Sequence, residues 1–258
     1  MAKKMIIKGV GTFLAKIYNK DGKGAEVVTL GTLQDLRITF NTEIEDIFGG
    51  DGLFPIDNLV RSKTIEITAT DAKFDLDILR LMMGSTVQND VNDYIWVLNE
   101  QATVDVSGVV QLKKGTQIFS TDPAESVSVR VIETGELVPS SSITIDKVAG
   151  TITLPTTYAG KDVVINYKIS QTVDKVDIMI DEVPFPVTVI HHGSFLQADG
   201  TYAGIETEIF ACKAQGQFTI NAARATASAN EVALRVIDSG RPDGKLGTIK
   251  RFDANVKI

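Results

Sequence analysis

"LRITFNTEIEDIFGGDGLFPIDNLVRSKTIEITA" (residues 36–69) holds two alternating runs on either side of a glycine-rich, acidic stretch. In the first run Leu36, Ile38 and Phe40 share one face, and Arg37, Thr39 and Asn41 share the other. In the second, Ile65 and Ile67 oppose Thr64, Glu66 and Thr68. A period of two marks a half-buried β-strand. Between the runs, residues 44–58 contain three glycines and four acids, the composition of a flexible, solvated loop. Yet Ile47, Phe48, Leu53, Phe54 and Pro55 lie in the same stretch and call for cover.

The period of two recurs along the chain. It appears in "SVSVRVI" (126–132), "SSITI" (141–145), "GTITL" (150–154), "DVVINYKI" (162–169), "DKVDIMI" (174–180), "PVTVI" (186–190), "QFTI" (217–220) and "VALRVI" (232–237). Gly, Asp, Asn or Pro fills most of the gaps, as turns require. "NKDGKG" (19–24) suits a hairpin turn between "TFLAKIY" and "AEVVTL". One helix is expected at about 71–83. Phe74, Ile78, Leu81 and Met82 fall on one helical face, with Asp71 as N-cap and Gly84 just past the C-terminus. The fold class is mainly β, with one flanking helix.

From Phe119 to Ser170 the chain is a run of short strands and tight turns, with Pro123, Pro139 and Pro155 among them. This reads as a small inserted β subdomain (119–170), closed around by one domain made of 1–118 and 171–258. Its fifty or so residues are near the lower limit for a core of its own.

Composition excludes several functions. There are 26 Lys and Arg against 33 Asp and Glu, a formal charge of −7, which argues against a phosphate-gripping surface. One cysteine, Cys212, allows no intrachain disulfide and suits a reducing compartment. "MAKKMIIKGVGTF" (1–13) has no apolar run of signal-peptide length, and no stretch reaches the roughly 20 apolar residues of a membrane span. A soluble, non-secreted chain is expected.

Chemical motifs are scarce. "GVG" (9–11) and "GGDG" (49–52) lack the Lys, Ser or Thr of a phosphate loop. His191 and His192 are the only histidines; adjacent on a strand, they point to opposite faces, so a metal site with Cys212 is disfavoured. Glu43, Glu45, Asp46 and Asp51 crowd together but miss the alternation of a calcium loop and read as a solvated face. No Gly-x-Ser-x-Gly elbow occurs. We expect no catalytic residue, no cofactor, no metal and no enzyme.

The segment "LGTLQDLRITFNTEIEDIFGGDGLFPIDNLVRSKTIEITATDAKFDLDILRLMMG" (30–84) resembles the major tail, or tail tube, proteins of tailed bacteriophages. The likeness lies in the order of parts: a strand opening on Leu-Gln-Asp-Leu, an acidic strand end, a Gly and Phe-Pro loop, a basic strand start, then a Phe-led helix ending in Leu-Met-Met-Gly. "EIFACKAQGQFTINA" (208–222) and "DGKLGTIKRFDA" (243–254) resemble that family's closing strands. The resemblance covers about 1–118 and 171–258. It implies a tail-tube-like β-sandwich or barrel with a flanking helix, the 119–170 insert being a surface, Ig-like subdomain. It implies six subunits joined into rings and rings stacked into a tube through which DNA and tape-measure protein travel. Expected partners are the chain itself, then tape measure, terminator or baseplate proteins and a sheath, with no membrane; the expected location is the virion tail, after synthesis in the host cytoplasm. The early loop of such proteins reaches a neighbouring subunit, which makes Ile47, Phe48, Leu53, Phe54 and Pro55 the candidate subunit-interface residues; the competing reading tucks them against their own sandwich. Two alternatives have different signatures. A head decoration or baseplate protein reuses the same β modules, and a carbohydrate-binding module needs Trp96, Tyr158, Tyr167 and Tyr202 to line a groove.

Overall fold

The computed structural model describes residues 9–21, 23–50, 52–196, 202–216 and 230–254. Up to Val87 and again from Val176 the chain forms one compact unit, and Gln88–Lys175 forms the other. The strand run 217–220 lies outside the described residues, as do Asp51 and the side chain of Tyr202.

The first unit is built on one antiparallel sheet. Its strands are β1 (Thr12–Ile17), β2 (Glu26–Leu30), β3 (Leu33–Ile47) and β4 (Asp57–Asp71), followed by helix α1 (Leu76–Met83). The alternating pattern 36–69 thus forms a hairpin of two fifteen-residue strands, and the anticipated β1–β2 hairpin is present. The second unit contributes β5 (Val87–Thr103), β6 (Val109–Gln111), a single turn of helix α2 (Pro123–Ser126), β7 (Val127–Val131), β8 (Thr144–Asp146), β9 (Thr151–Thr153) and β10 (Asp162–Val176). The chain then returns to the first unit with β11 (Val187–Leu196), β12 (Tyr202–Ala214), β13 (Asn230–Val236) and β14 (Gly247–Ala254).

The large sheet runs β2-β1-β11-β12-β13-β4-β3, with β14 also on β12. β12 serves two partners along one edge: Tyr202–Ile209 pair with β14, and Cys212–Ala214 pair with β13. Between them Ala211 takes φ of 49°, a left-handed kink that lets the partner change. Alternate residues turn Phe13, Ala15, Ile67, Val187, Val189, Val232 and Leu234 into one core, and α1 adds Ile78, Leu81 and Met82. Each such side chain contributes about 1.5–3 kcal/mol by the apolar area it removes from water.

The helix starts later than its face pattern suggests. Asp75, not Asp71, is the N-cap, accepting from the Asp77 amide at 3.0 Å. Asp71 ends β4, facing Leu33 and Asn230, and its buried carboxylate accepts from Thr32 Oγ1 at 2.8 Å. Phe74 therefore precedes the helix and is half exposed rather than part of its buried face. Gly84 closes the helix as expected, at φ of 83°, its amide donating to the Arg80 carbonyl.

The second unit packs two three-stranded sheets, β5-β10-β7 and β6-β9-β8, on a core of its own. Its limits are wider than the 119–170 expected from the sequence. β5 and β6 pair with β10 and β9, and Val104, Val110 and Leu112 fill its core, so residues 88–118 fold with it. Within that core Tyr167 donates to Glu100 Oε2 at 2.8 Å, while Glu100 Oε1 accepts the Lys113 amide at 2.8 Å. Burial, reinforced by that bond to Glu100, pushes the Tyr167 hydroxyl up to about 12.

Candidate functional site

The β3–β4 hairpin outruns the core that anchors it. Ile38 and Ile67 face each other at its inner end, with Ile67 fully buried. One rung pair farther out, on the same face, stand Phe40 and Ile65, and then Ile44 and Val60. Phe40, Ile44 and Val60 are exposed, so apolar side chains on the face of the core run on into solvent, interrupted by the polar rung Thr42↔Lys63. Every described residue from Phe40 to Lys63 is exposed except Gly49, which is half-buried. We call this outer half the arm.

The stretch 44–58, read from sequence as a flexible loop, begins and ends in ordered pairing. Ile44 to Ile47 and Asp57 to Asn58 are ladder residues, and the described residues between them make the turn. The Ile56 amide donates to the Ile47 carbonyl at 2.8 Å and closes it. Gly50 supplies the left-handed turn at φ of 62°. At the tip Phe48, Leu53, Phe54 and Ile56 are 59%, 91%, 84% and 70% exposed, Ile47 is 43% exposed, and Pro55 is exposed too. None of the five residues singled out in the sequence tucks into its own sandwich. Ile56, which the sequence reading left out, belongs with them.

Polar groups stiffen the opposite face of the arm. The register slips between Glu43 and Ile44, leaving Arg61 as the extra residue of a bulge. From there Arg61 Nε donates to Glu45 Oε2 at 2.6 Å, and Ser62 Oγ donates to Glu43 Oε2 at 2.9 Å. Two of the carboxylates expected to form a solvated face thus hold the two strands together. Exposed pairs of this kind are worth little, about 0–1 kcal/mol each.

At the foot of the arm lies a groove of 470 Å³, lined by Phe40, Ile65, Val236, Ile237 and Leu246, with Lys63 and Asp238 among its polar residues. A second groove of 380 Å³ shares Phe40 and is lined by Leu36, Ile38, His191 and Ile249, with Asp35 its only charged residue.

The other sequence candidates are dispersed. His191 is buried and its Nε2 lies 2.6 Å from the Val10 carbonyl oxygen, to which the ring N–H donates. Burial holds its pKa below the usual histidine range. His192 points to the opposite face, 3.8 Å from Glu206 Oε2 and stacked near Phe252. Cys212 is buried, its thiol pushed up to about 12 by burial. Among the described residues no three His, Cys, Asp or Glu side chains cluster, and no helix is long and apolar enough to cross a membrane. Among the described residues the aromatics needed for a sugar groove do not converge. Tyr167 is a core residue, Tyr158 donates to Glu136 Oε1 at 2.9 Å, and Trp96 lies half exposed near Lys168.

Comparison with known proteins bears on this arm-bearing β fold. The chain is similar to the SPbeta prophage-derived uncharacterized protein YomU of Bacillus subtilis (strain 168), 27% identical over 180 residues. That match covers 69% of this chain and 61% of the relative's length. The model of the YomU/Tube protein family matches residues 10–250, nearly the whole chain. The chain belongs to the YomU/Tube protein family, a family of phage tube-like structural proteins.

Proposed function

We propose that this chain is a structural virion protein that polymerises with itself into stacked, hexameric rings, and that the stack is the phage tail tube. The observation that carries this reading is the arm: a long hairpin with four large apolar side chains exposed at its tip and no cover from its own chain among the described residues. Such a surface is stable in water only at low density, and it gains burial on a partner. Family membership makes a further copy of the chain the natural partner. On this reading the tube is a non-catalytic conduit for DNA. Its ends and interior meet tape-measure, terminator and baseplate proteins, with a sheath around it in a contractile tail. The second unit is carried on the outer surface, away from the channel.

Negative-stain electron microscopy of the purified chain tests the reading. Rings or tubes are expected. A chain that stays monomeric at every concentration would sink it.

A further inference from the structure

We propose that the groove at the foot of the arm is the receptor for the arm tip of a second copy. This rests on the self-assembly reading above and names the surface that completes it.

The tip cannot reach the foot of its own chain. Phe40↔Ile65 at the foot and Ile47↔Asp57 near the tip are rungs of one hairpin ladder, seven residues apart along β3, with the single-residue bulge at Arg61 between them. At roughly 3.3 Å per residue they stand about 23 Å apart, and a paired ribbon does not fold back over that length. Only another molecule can bring a tip to a foot.

The foot is built to take an extended apolar segment. β13 pairs with β4 only along Glu66–Asp71 and leaves the sheet after Val236. The edge of β4 from Asp57 to Ile65 therefore has β3 on one side and, among the described residues, no strand on the other. Unpaired edge groups beside an apolar floor invite a strand-like partner. The floor is Phe40, Ile65, Val236, Ile237 and Leu246, of which Phe40, Ile237 and Leu246 are exposed. Its 470 Å³ suits a few large side chains, not a folded domain.

Charge selects this groove over its neighbour. The tip is flanked by exposed Asp46 and Asp57. Lys63 and Asp238 both line the foot groove and balance one another in formal charge; Lys63 is exposed, has no ion-pair partner among the described residues, and supplies the one cation that either groove offers the tip. The 380 Å³ groove offers only Asp35 as a charged residue, which would repel the same tip.

Tip and foot are different patches, so a single tip–foot contact between two chains leaves one tip and one foot free. Contacts of that kind close into rings or run on as filaments, whereas a reciprocal exchange of tips stops at a dimer. The tube reading requires the first arrangement.

The test uses two variants and a cross-link. Phe54→Ser removes the tip anchor, and Leu246→Asp places an acid in the foot. Each alone is expected to stay folded by circular dichroism and to lose tip–foot growth. Mixed in equal amounts, the two still share one good tip and one good foot. They should form a complex that ends after a single contact, seen by light scattering. Ile237→Asp repeats the foot variant at a second exposed position. Because Cys212 is buried, a chain with Gly52→Cys and Lys245→Cys, exposed positions beside the anchors Leu53 and Leu246 rather than in their place, carries two reactive thiols, and oxidation of the assembled protein should link tip to foot between chains. Normal assembly of both foot variants, or assembled protein that forms no such cross-link, would overturn the groove assignment while leaving the self-assembly reading intact. A wild-type chain that never assembles would overturn both.

Discussion

Ile47 and Ile56 close the arm tip on itself, the Ile56 amide donating to the Ile47 carbonyl at 2.8 Å immediately beyond the last ladder rung. A turn closed in this way restricts the backbone that carries Phe48, Leu53 and Phe54. Their exposed side chains still lose rotamer freedom when a partner covers them, about 0.5–1.5 kcal/mol for each rotamer-rich one, so the saving on association lies in the backbone alone.

Changing Phe48 and Phe54 together to Ser should separate folding from assembly. Both side chains are exposed in the single chain, so thermal stability should shift by no more than about 0.5 kcal/mol per site. Sedimentation should nonetheless show monomers where wild type shows rings or tubes. A double variant that unfolds would mean these side chains hold the subunit together, and one that assembles normally would remove the arm from the interface.

Excision of the second unit depends on where the cut is made. Near its base β5 and β10 are bridged, with the Asp90 amide donating to Asp174 Oδ1 at 2.9 Å and Lys175 Nζ to Asp93 Oδ2 at 2.8 Å. Residues 87 and 176 are therefore close enough for a short Gly-Ser link, and removal of 88–175 should leave a folded chain that still assembles. Joining 118 to 171 instead strips β7 and most of β10 while leaving β5 behind. That variant should aggregate, because β5 loses its only sheet partner. Size-exclusion profiles of the two deletions decide between the boundaries.

Tyr167 gives the second unit an alkaline limit. Its hydroxyl titrates near 12 in the folded chain and near 10 when unfolded, so the folded state holds that proton more tightly. The associated stability is complete below pH of about 10 and declines as pH rises toward about 12. Tyr167→Phe should cost about 1–3 kcal/mol by leaving Glu100 Oε2 and the Lys114 amide without their partner. It should also remove this limb from a plot of melting temperature against pH. An unchanged alkaline limb would show that some other group sets it.

Much of the central architecture was legible in the sequence because the signals were local. β1, β4, β11 and β13 each alternate cleanly over the residues that reach the core, and Gly84 stops α1 at the position its αL conformation demands. What escaped notice lacked a local signal. In β5, "YIWVL" (94–98) is apolar on both faces, since Tyr94, Trp96 and Leu98 are exposed while Ile95 and Val97 pack inward. The period of two is lost there, and with it the start of the second unit. The arm looked shorter than it is because the extra residue Arg61 shifts the phase of β4, so that Val60, opposite Ile44, continues the face of Ile65 and Lys63. The foot groove draws on β3, β4, β13 and the residue before β14, from Phe40 to Leu246, 206 positions apart, and no local pattern could announce it.

The turn at Gly84 is a sensitive point in the first unit. At φ of 83° an L side chain is strained, and a Cβ there would come within 2.3 Å of the Val183 carbonyl oxygen. Gly84→Ala should destabilise by about 1–3 kcal/mol. Asp75→Ala, which removes the N-cap at the other end of α1, should cost about 1 kcal/mol. Chemical denaturation of the two variants checks both values and their order.

Assembled protein should not hold DNA. With 33 acidic against 26 basic residues, the chain carries net repulsion toward phosphate. Lower salt lengthens the reach of that repulsion, whereas a phosphate-binding surface tightens its grip as salt falls. Titration with labelled duplex at two salt concentrations should show no binding at either. Salt-sensitive binding would identify a protein that grips DNA rather than one that lets it pass.

The anchoring of the arm has a mechanical consequence. A pull on the tip along its axis draws β3 and β4 outward together, so their shared ladder feels little strain. The tension passes instead into the seam between β4 and β13, where Asn230↔Asp71 through Arg235↔Glu66 run antiparallel and in register. Hydrogen bonds there lie across the direction of force. They must slip all at once, in shear, rather than open one after another like a zip. A neighbour tugging on this arm therefore meets the stiffest response that the sheet can give.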